Sequence, residues 1–251
     1  MPMAGGCTIC AITKLNDYAY HFLLKAEGLA SSIRPGQFLH IQCGNQFLRR
    51  PISICHWQED VVGIVFEVRG AGTDWLANRQ VGDKLDVLGP LGNGFSVDPD
   101  KQYLLVGGGI GVPPILGACT DGSSAVLGCR SADRGLPMLT EHFHETCKEV
   151  LLYSDDGSLG TKGFVDAGVR ALLAKENHFT AVLACGPKPM LRAVSKVAEE
   201  FGLPCQVSME ERMACGVGAC LGCAIQMADG SMQHVCKDGP VFDSREVDWN
   251  A

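Results

Sequence analysis

The chain has 251 residues, is 46% apolar and 20% charged, and carries a formal net charge of −7. That is long enough to bury a core and to divide into two or three small domains. The acidic balance, without a basic run, argues against nucleic-acid and anionic-membrane partners, and no apolar run approaches a membrane span.

The first six residues lack the charged-then-apolar pattern of a secretory signal. Thirteen cysteines, an odd number, cannot all be paired, and several (Cys43, Cys55, Cys129, Cys185) sit inside apolar runs as small hydrophobes. A reducing cytoplasm is the expected compartment.

Residues 7 to about 97 read as short strands over 7–13, 19–24, 37–42, 52–57, 61–69 and 84–88. They are punctuated by Pro35-Gly36, Gly82-Asp83, Gly89-Pro90 and Gly92-Asn93-Gly94, with a short helix over 73–78. Strands at this spacing suggest a small antiparallel β-barrel. Cys7 and Cys10 lie in the first strand with no helix after them, so they read as ordinary strand residues rather than a redox pair.

From about residue 101 strands and helices alternate. Strands are expected over 102–106, 125–129, 149–153 and 180–185, and helices over 137–146, 165–174 and 187–201, the last stopped by Gly202. That alternation argues for a doubly wound parallel sheet. The division expected is 1–97 for the barrel, 98–205 for the α/β domain and 206–251 for a small cysteine-bearing domain.

In that last segment Cys215, Cys220, Cys223 and Cys236 are spaced C-x4-C-x2-C-x12-C, the plant-type spacing of a [2Fe–2S] cluster held by four thiolates. Gly216, Gly218 and Gly222 would let the loop curl and bring backbone N–H groups against the sulfurs. Asp229-Gly230 signals a hairpin that could carry Cys236 back to the loop. A zinc site and four merely buried thiols are the competing readings, but zinc usually takes two CxxC pairs or a Cys/His set. His234 stands near the fourth cysteine; with four thiols available it reads as a surface or supporting residue.

Other motifs are weaker alone. Arg50-Pro51-Ile52-Ser53 offers a cation and a hydroxyl at a strand edge, and Gly70-Ala71-Gly72-Thr73 is a small-residue turn leading into a helix. Gly107, Gly108, Gly109 and Gly111 follow a buried strand and open a helix through Pro113 and Pro114, and Cys185-Gly186-Pro187 ends another strand of the same sheet. Ligands bind at such strand ends. Contact between Cys185 and a cofactor is favoured over covalent chemistry.

In this order, with Pro90 to Phe95 and the run from Ser208 to Cys223, the motifs resemble the electron-transfer subunit of class 1B dihydroorotate dehydrogenase, within the ferredoxin–NADP reductase superfamily. The resemblance covers nearly the whole chain and is most specific in the cluster segment. It implies that Arg50, Pro51, Ile52 and Ser53 hold FAD, completed by Val65, Phe66, Glu67, Gly72 and Thr73. Glycines 107, 108, 109 and 111 with Cys185, Gly186 and Pro187 would line the NAD side, and the four cysteines would ligate the cluster.

It also implies a separate FMN-bearing catalytic subunit, in a heterotetramer of two plus two, sending electrons from FMN through the cluster and FAD to NAD+ in pyrimidine biosynthesis. A flavin suits that place because it exchanges electrons both in pairs and singly. The alternatives are a stand-alone NAD(P)H:acceptor reductase and a redox sensor without turnover. Arg130 and Arg134, just past the second α/β strand, keep NADP open as the nucleotide.

Overall fold

The computed structural model describes residues 3–135, 137–175 and 178–251. Six antiparallel strands close a barrel: β1 (Met3–Lys14), β2 (Ala19–Lys25), β3 (Phe38–Ile41), β4 (Arg50–Gln58), β5 (Val61–Glu67) and β6 (Lys84–Leu91), in the order β1-β2-β5-β4-β3-β6. The alternation that makes them strands is plain in β6, where Leu85 and Val87 are buried between exposed Lys84 and Asp86. Long β1 pairs with both β2 and β6 and closes the ring, leaving no free edge. Inside, Phe22 and Phe66 meet edge-to-face at 5.1 Å among Ile9, Leu39, Ile54 and Ile64. Helix α1 (Ala71–Ala77) bridges β5 and β6.

The second unit runs β7 (Tyr103–Gly108), α2 (Val112–Leu116), β8 (Ser124–Cys129), α3 (Pro137–Thr146), β9 (Glu149–Ser154), β10 (Thr161–Lys162), α4 (Val165–Lys175), β11 (Ala181–Cys185), α5 (Lys188–Glu200) and β12 (Cys205–Ser208). β7 and β11 are buried at every residue, as parallel strands covered on both faces must be. Helices α4 and α5 bury Val169, Leu172, Val194 and Val197 against the sheet.

The last segment holds a hairpin, β13 (Ala224–Gln226) with β14 (Met232–His234), and then β15 (Val241–Asp243). β15 pairs antiparallel with β12, so the seven-stranded sheet has the order β10-β9-β8-β7-β11-β12-β15. The short strands β10, β12 and β15 were not expected from the sequence: two to four residues show no period. β12 straddles the expected 205/206 boundary, and β15 ties the cysteine segment into the sheet of the preceding unit.

The order turns around between β7 and β11: β8 and β9 lie on one side, β12 on the other. Such a switch point opens a crevice at the strand ends. Barrel and sheet are fused by a shared core in which Ala19, Cys55 and Val65 meet Val112, Ile115 and Phe143. Among the described residues no helix is long and apolar enough to cross a membrane.

Candidate redox site

From Met209 to Gly222 the chain forms no regular element and winds around its own sulfurs. Gly216 takes a left-handed φ of +72°, and a Cβ there would sit 2.5 Å from Nδ1 of His40 on β3. Only glycine lets the loop lie this close to the barrel. Gly222 was expected to matter in the same way and does not. It has no left-handed φ, and its Cβ would meet Cys220 Sγ at an ordinary 3.6 Å, while Leu221 takes the left-handed position with φ +61°.

The curl aims main-chain donors at sulfur. The N–H groups of Val217, Ala219 and Cys220 donate to Cys215 Sγ at 3.5, 3.3 and 3.4 Å. Gly218 donates to Cys236 Sγ at 3.1 Å, and Cys236 N–H to Cys223 Sγ at 3.4 Å. Burial pushes the Cys215 thiol up, but the N–H groups of Val217 and Cys220, the Cys220 thiol and Ala219 N–H outweigh it and bring it down to about 6. Cys236 is pushed up to about 12 by burial and by the facing Cys223 thiol, against the pull of Gly218 N–H.

The sulfurs group two by two, Cys215 with Cys220 and Cys223 with Cys236. The hairpin explains the second pair: Ala224 faces His234 across β13 and β14, and Val235 N–H donates to Cys223 O at 3.0 Å, so the residues flanking the hairpin meet. Asp229-Gly230 makes its turn, Gly230 at φ +84° and Ser231 N–H on Asp229 Oδ1. His234 Nδ1 lies 3.3 Å from Asp238 Oδ2.

Among the described residues no three of the four sulfurs lie within 4.8 Å of one another, whereas thiolates on one tetrahedral zinc with bonds of about 2.3 Å stand about 3.8 Å apart. Two thiol pairs, spread wider than one ion allows and supplied with N–H donors, fit a two-iron cluster. His40 adds to the fit. It is fully buried, neither ring nitrogen has a hydrogen-bond partner, and the main chain of Arg49 and Cys215 lies alongside. Nothing in the sequence marked it, because its contact with the loop is tertiary.

Beside this loop a cavity of about 410 Å³ opens between barrel and sheet. Arg50, Pro51, Ile52 and Ser53 of β4 line one wall, Val65, Phe66 and Glu67 of β5 continue it, and Gly70 and Thr73 close one end. Gly72 is not on the wall; it lies under Arg50, whose Nε would be 2.5 Å from a Cβ there. Thr73 Oγ1 accepts from Arg69 N–H at 2.9 Å and shapes the turn. Two cations line this end, Arg50 and Arg69, the latter paired with Glu67 at 2.6 Å.

The cavity is also lined by residues the sequence did not single out: Phe38, Ile110, Glu210, Glu211, Met213 and Pro240. Met213 is two residues from Cys215, so one short segment serves both cavity and sulfurs. Asn93, from the Pro90–Phe95 motif, clamps the segment after Cys236. Its side chain donates to the carbonyls of Lys237 and Asp238 at 3.1 and 3.0 Å, and its N–H to Gly239 O at 2.6 Å.

Cys185 lines the same cavity at the end of β11, where it pairs with Gly107 across the switch point. Burial pushes its thiol up to about 12, so it stays neutral and offers contact rather than nucleophilic chemistry. Gly111 presses the glycine turn onto this end, since its Cβ would be 2.3 Å from Cys185 O. Gly107, Gly108, Gly109 and Pro187 line neither this cavity nor the neighbouring one of about 310 Å³, which Gly186 does line; they shape the turns at the switch point.

Of the two arginines near the end of β8, Arg134 stacks on Tyr18 at 4.2 Å and pairs with Asp133 at 3.8 Å. The carboxylates of Asp155, Asp156 and Asp133 all act on Cys129 there.

A family described as the iron-sulfur cluster binding domain of dihydroorotate dehydrogenase B matches residues 210–248. The dihydroorotate dehydrogenase B (NAD+) electron transfer subunit of Caldanaerobacter subterraneus subsp. tengcongensis is 41% identical over 85% of this chain and 86% of the relative. The subunit of the same name from Bacillus velezensis is 37% identical over 96% and 97%. Among solved structures, one of an NADH-dependent reduced ferredoxin-NADP oxidoreductase superposes with a TM-score of 0.84 and 31% identity over 97% of this chain and 90% of the other. A ferredoxin reductase of carbazole 1,9a-dioxygenase, at 21% identity and a TM-score of 0.69, shares the fold.

The two loop glycines separate experimentally. Gly216→Ala adds about 1–2 kcal/mol of left-handed strain and drives a methyl into His40; the purified variant is expected to lose most of its iron. Gly222→Ala is expected to keep it, as measured by iron per chain.

Proposed function

The chain belongs to the family of dihydroorotate dehydrogenase B (NAD+) electron transfer subunits, and from that premise we propose that it carries electrons from the FMN of a catalytic subunit, through a [2Fe–2S] cluster and FAD, to NAD+. The observation that carries this reading is contiguity. The N–H-lined sulfur loop, the cavity and the switch point share walls, through Met213 on one side and Cys185 on the other. Cys215, Cys220, Cys223 and Cys236 would hold the cluster. Arg50 to Ser53, Val65 to Glu67 and Gly72-Thr73 would hold FAD, and the turns at Gly107–Gly111 and Cys185–Pro187 would receive the nicotinamide nucleotide. Bound there, FAD supplies two-electron exchange with nicotinamide and one-electron exchange with the cluster.

The chain's own work is placement. Arg50 offers a guanidinium for the diphosphate, the strand ends of β4 and β5 offer main-chain and hydroxyl groups to the ring edge, and neutral Cys185 permits close approach. No acid or base is needed in this reading. The catalytic subunit would dock where the cluster reaches the surface: Cys220 is exposed there between Val217, 45% exposed, and Leu221, 60% exposed, an apolar rim of the kind interfaces bury. A two-plus-two heterotetramer, a role in pyrimidine biosynthesis and a cytoplasmic setting for the nine cysteines outside the cluster complete the reading.

The likeness to the NADH-dependent reduced ferredoxin-NADP oxidoreductase favours one alternative, a reductase subunit serving ferredoxin. Co-expression with an FMN-bearing dihydroorotate dehydrogenase separates the two. The proposal expects a stable complex that reduces NAD+ with dihydroorotate. A chain that ignores that subunit and rapidly reduces ferredoxin with NADH would overturn it. Cys220→Ser in the complex is expected to abolish dihydroorotate-dependent NAD+ reduction while NADH-dependent dye reduction at the flavin survives.

The nucleotide is NAD rather than NADP in this reading. The end of β8 is where a ribose 2′ position falls in such a sheet; three carboxylates gather there beside exposed Arg130, and Arg134 is engaged elsewhere. The double variant Asp155→Asn/Asp156→Asn is expected to raise the ratio of kcat/KM for NADPH over NADH roughly tenfold, equivalent to about 1.4 kcal/mol, in steady-state dye reduction.

A further inference from the structure

Three side chains outside the redox site converge on one point of the seam between barrel and sheet: His21 of β2, and Cys55 and His56 of β4. One ligand atom from each lies within 4.8 Å of the other two, and the Nε2 atoms of His21 and His56 are 3.1 Å apart. Two imidazoles on one tetrahedral ion, with bonds of about 2.0–2.1 Å, hold their nitrogens about 3.3 Å apart. The observed pair is within tenths of an ångström of that spacing.

The fold builds this convergence with two local devices. Register between β4 and β5 shifts between Ile54 and His56. Such a bulge breaks strict alternation and re-aims side chains, so the consecutive residues Cys55 and His56 reach one point instead of opposite faces. β5 lies between β2 and β4, and the residue opposite His56 on it is Gly63. A Cβ at Gly63 would sit 2.4 Å from His56 Nε2. The missing side chain is the gap through which the imidazole crosses the intervening strand to His21.

A simple hydrogen bond between two imidazoles accounts for the His21–His56 distance. Cys55 packs in the core shared by barrel and sheet, and the bulge brings its thiol to the same point as the two imidazoles. Across the seam, His142 of α3 acts electrostatically on both imidazoles, but its ring nitrogens lie outside the 4.8 Å group and its Nδ1 stands 3.5 Å from Glu145 Oε2.

We propose that His21, Cys55 and His56 bind one divalent transition-metal ion of the zinc class, with water in the fourth position. Two imidazoles and a thiolate are a donor set such an ion takes. The ion would pin β2 to β4 across the intervening β5. Val65, paired with His21 across β2 and β5, lines the flavin cavity, so the pin would sit one strand pair from that wall. The site does not depend on the electron-transfer reading and stands if that reading falls.

The test uses the holoprotein, kept anaerobic, dialysed against Zn2+ with zinc and iron quantified together. One zinc per chain is expected in addition to unchanged iron, with a rise in the thermal midpoint. X-ray absorption at the zinc edge should show one sulfur among nitrogen and oxygen ligands. His21→Gln and His56→Gln should each weaken binding by about 100-fold or more. No retained zinc, equal retention in wild type and His56→Gln, or an all-sulfur shell would overturn the assignment. Because the absorption measurement needs only wild-type protein, a variant that fails to fold does not spare the proposal.

Discussion

Four thiols brought to one site repel one another as they ionise, and this site sets main-chain donors against that repulsion. Five main-chain N–H groups are turned onto three sulfurs, and the sulfurs are split into two pairs rather than gathered at a single point. An N–H pointing at sulfur stabilises its charged form, as the lowered Cys215 shows. Where two buried thiols face each other without enough compensation the opposite happens, as at Cys236. A multi-iron centre supplies the missing positive charge, and a loop built this way has little other use.

Much of the remaining architecture holds that loop against the barrel. Gly216 lies on His40, Asn93 clamps the segment after Cys236, and β15 anchors the far end to the sheet through β12. The cavity between Arg50 and Cys185 is a consequence of the same docking, since Met213 and Glu210 enter its wall on the way to the first cysteine. The order of the sheet then brings the Gly107–Gly111 turn to the cavity's other side. Redox groups need closeness rather than acid–base machinery, and closeness is what this packing delivers.

What could be seen in the sequence was local. The Asp229-Gly230 hairpin was legible because turn chemistry is written in adjacent residues, and α3 because its period runs over ten of them. β12 and β15 were not, because strands of three and four residues carry no period and owe their existence to each other. The cavity residues from β4 and β5 came through a resemblance, whereas Phe38, Ile110, Met213 and Glu210 meet them only in three dimensions. Arg134 looked free for a phosphate because its partner Tyr18 is more than a hundred residues away, in the barrel. Gly222 shows the reverse error: a glycine in a glycine-rich loop whose backbone does not need one.

The account rests on the four cysteines holding two irons, and spin resonance of the reduced protein tests this most directly. Protein purified without oxygen and reduced chemically should contain two irons and two labile sulfides per chain and give the signal of a one-electron-reduced two-iron centre. One zinc per chain bound by four sulfurs, with no iron and no such signal, would contradict it.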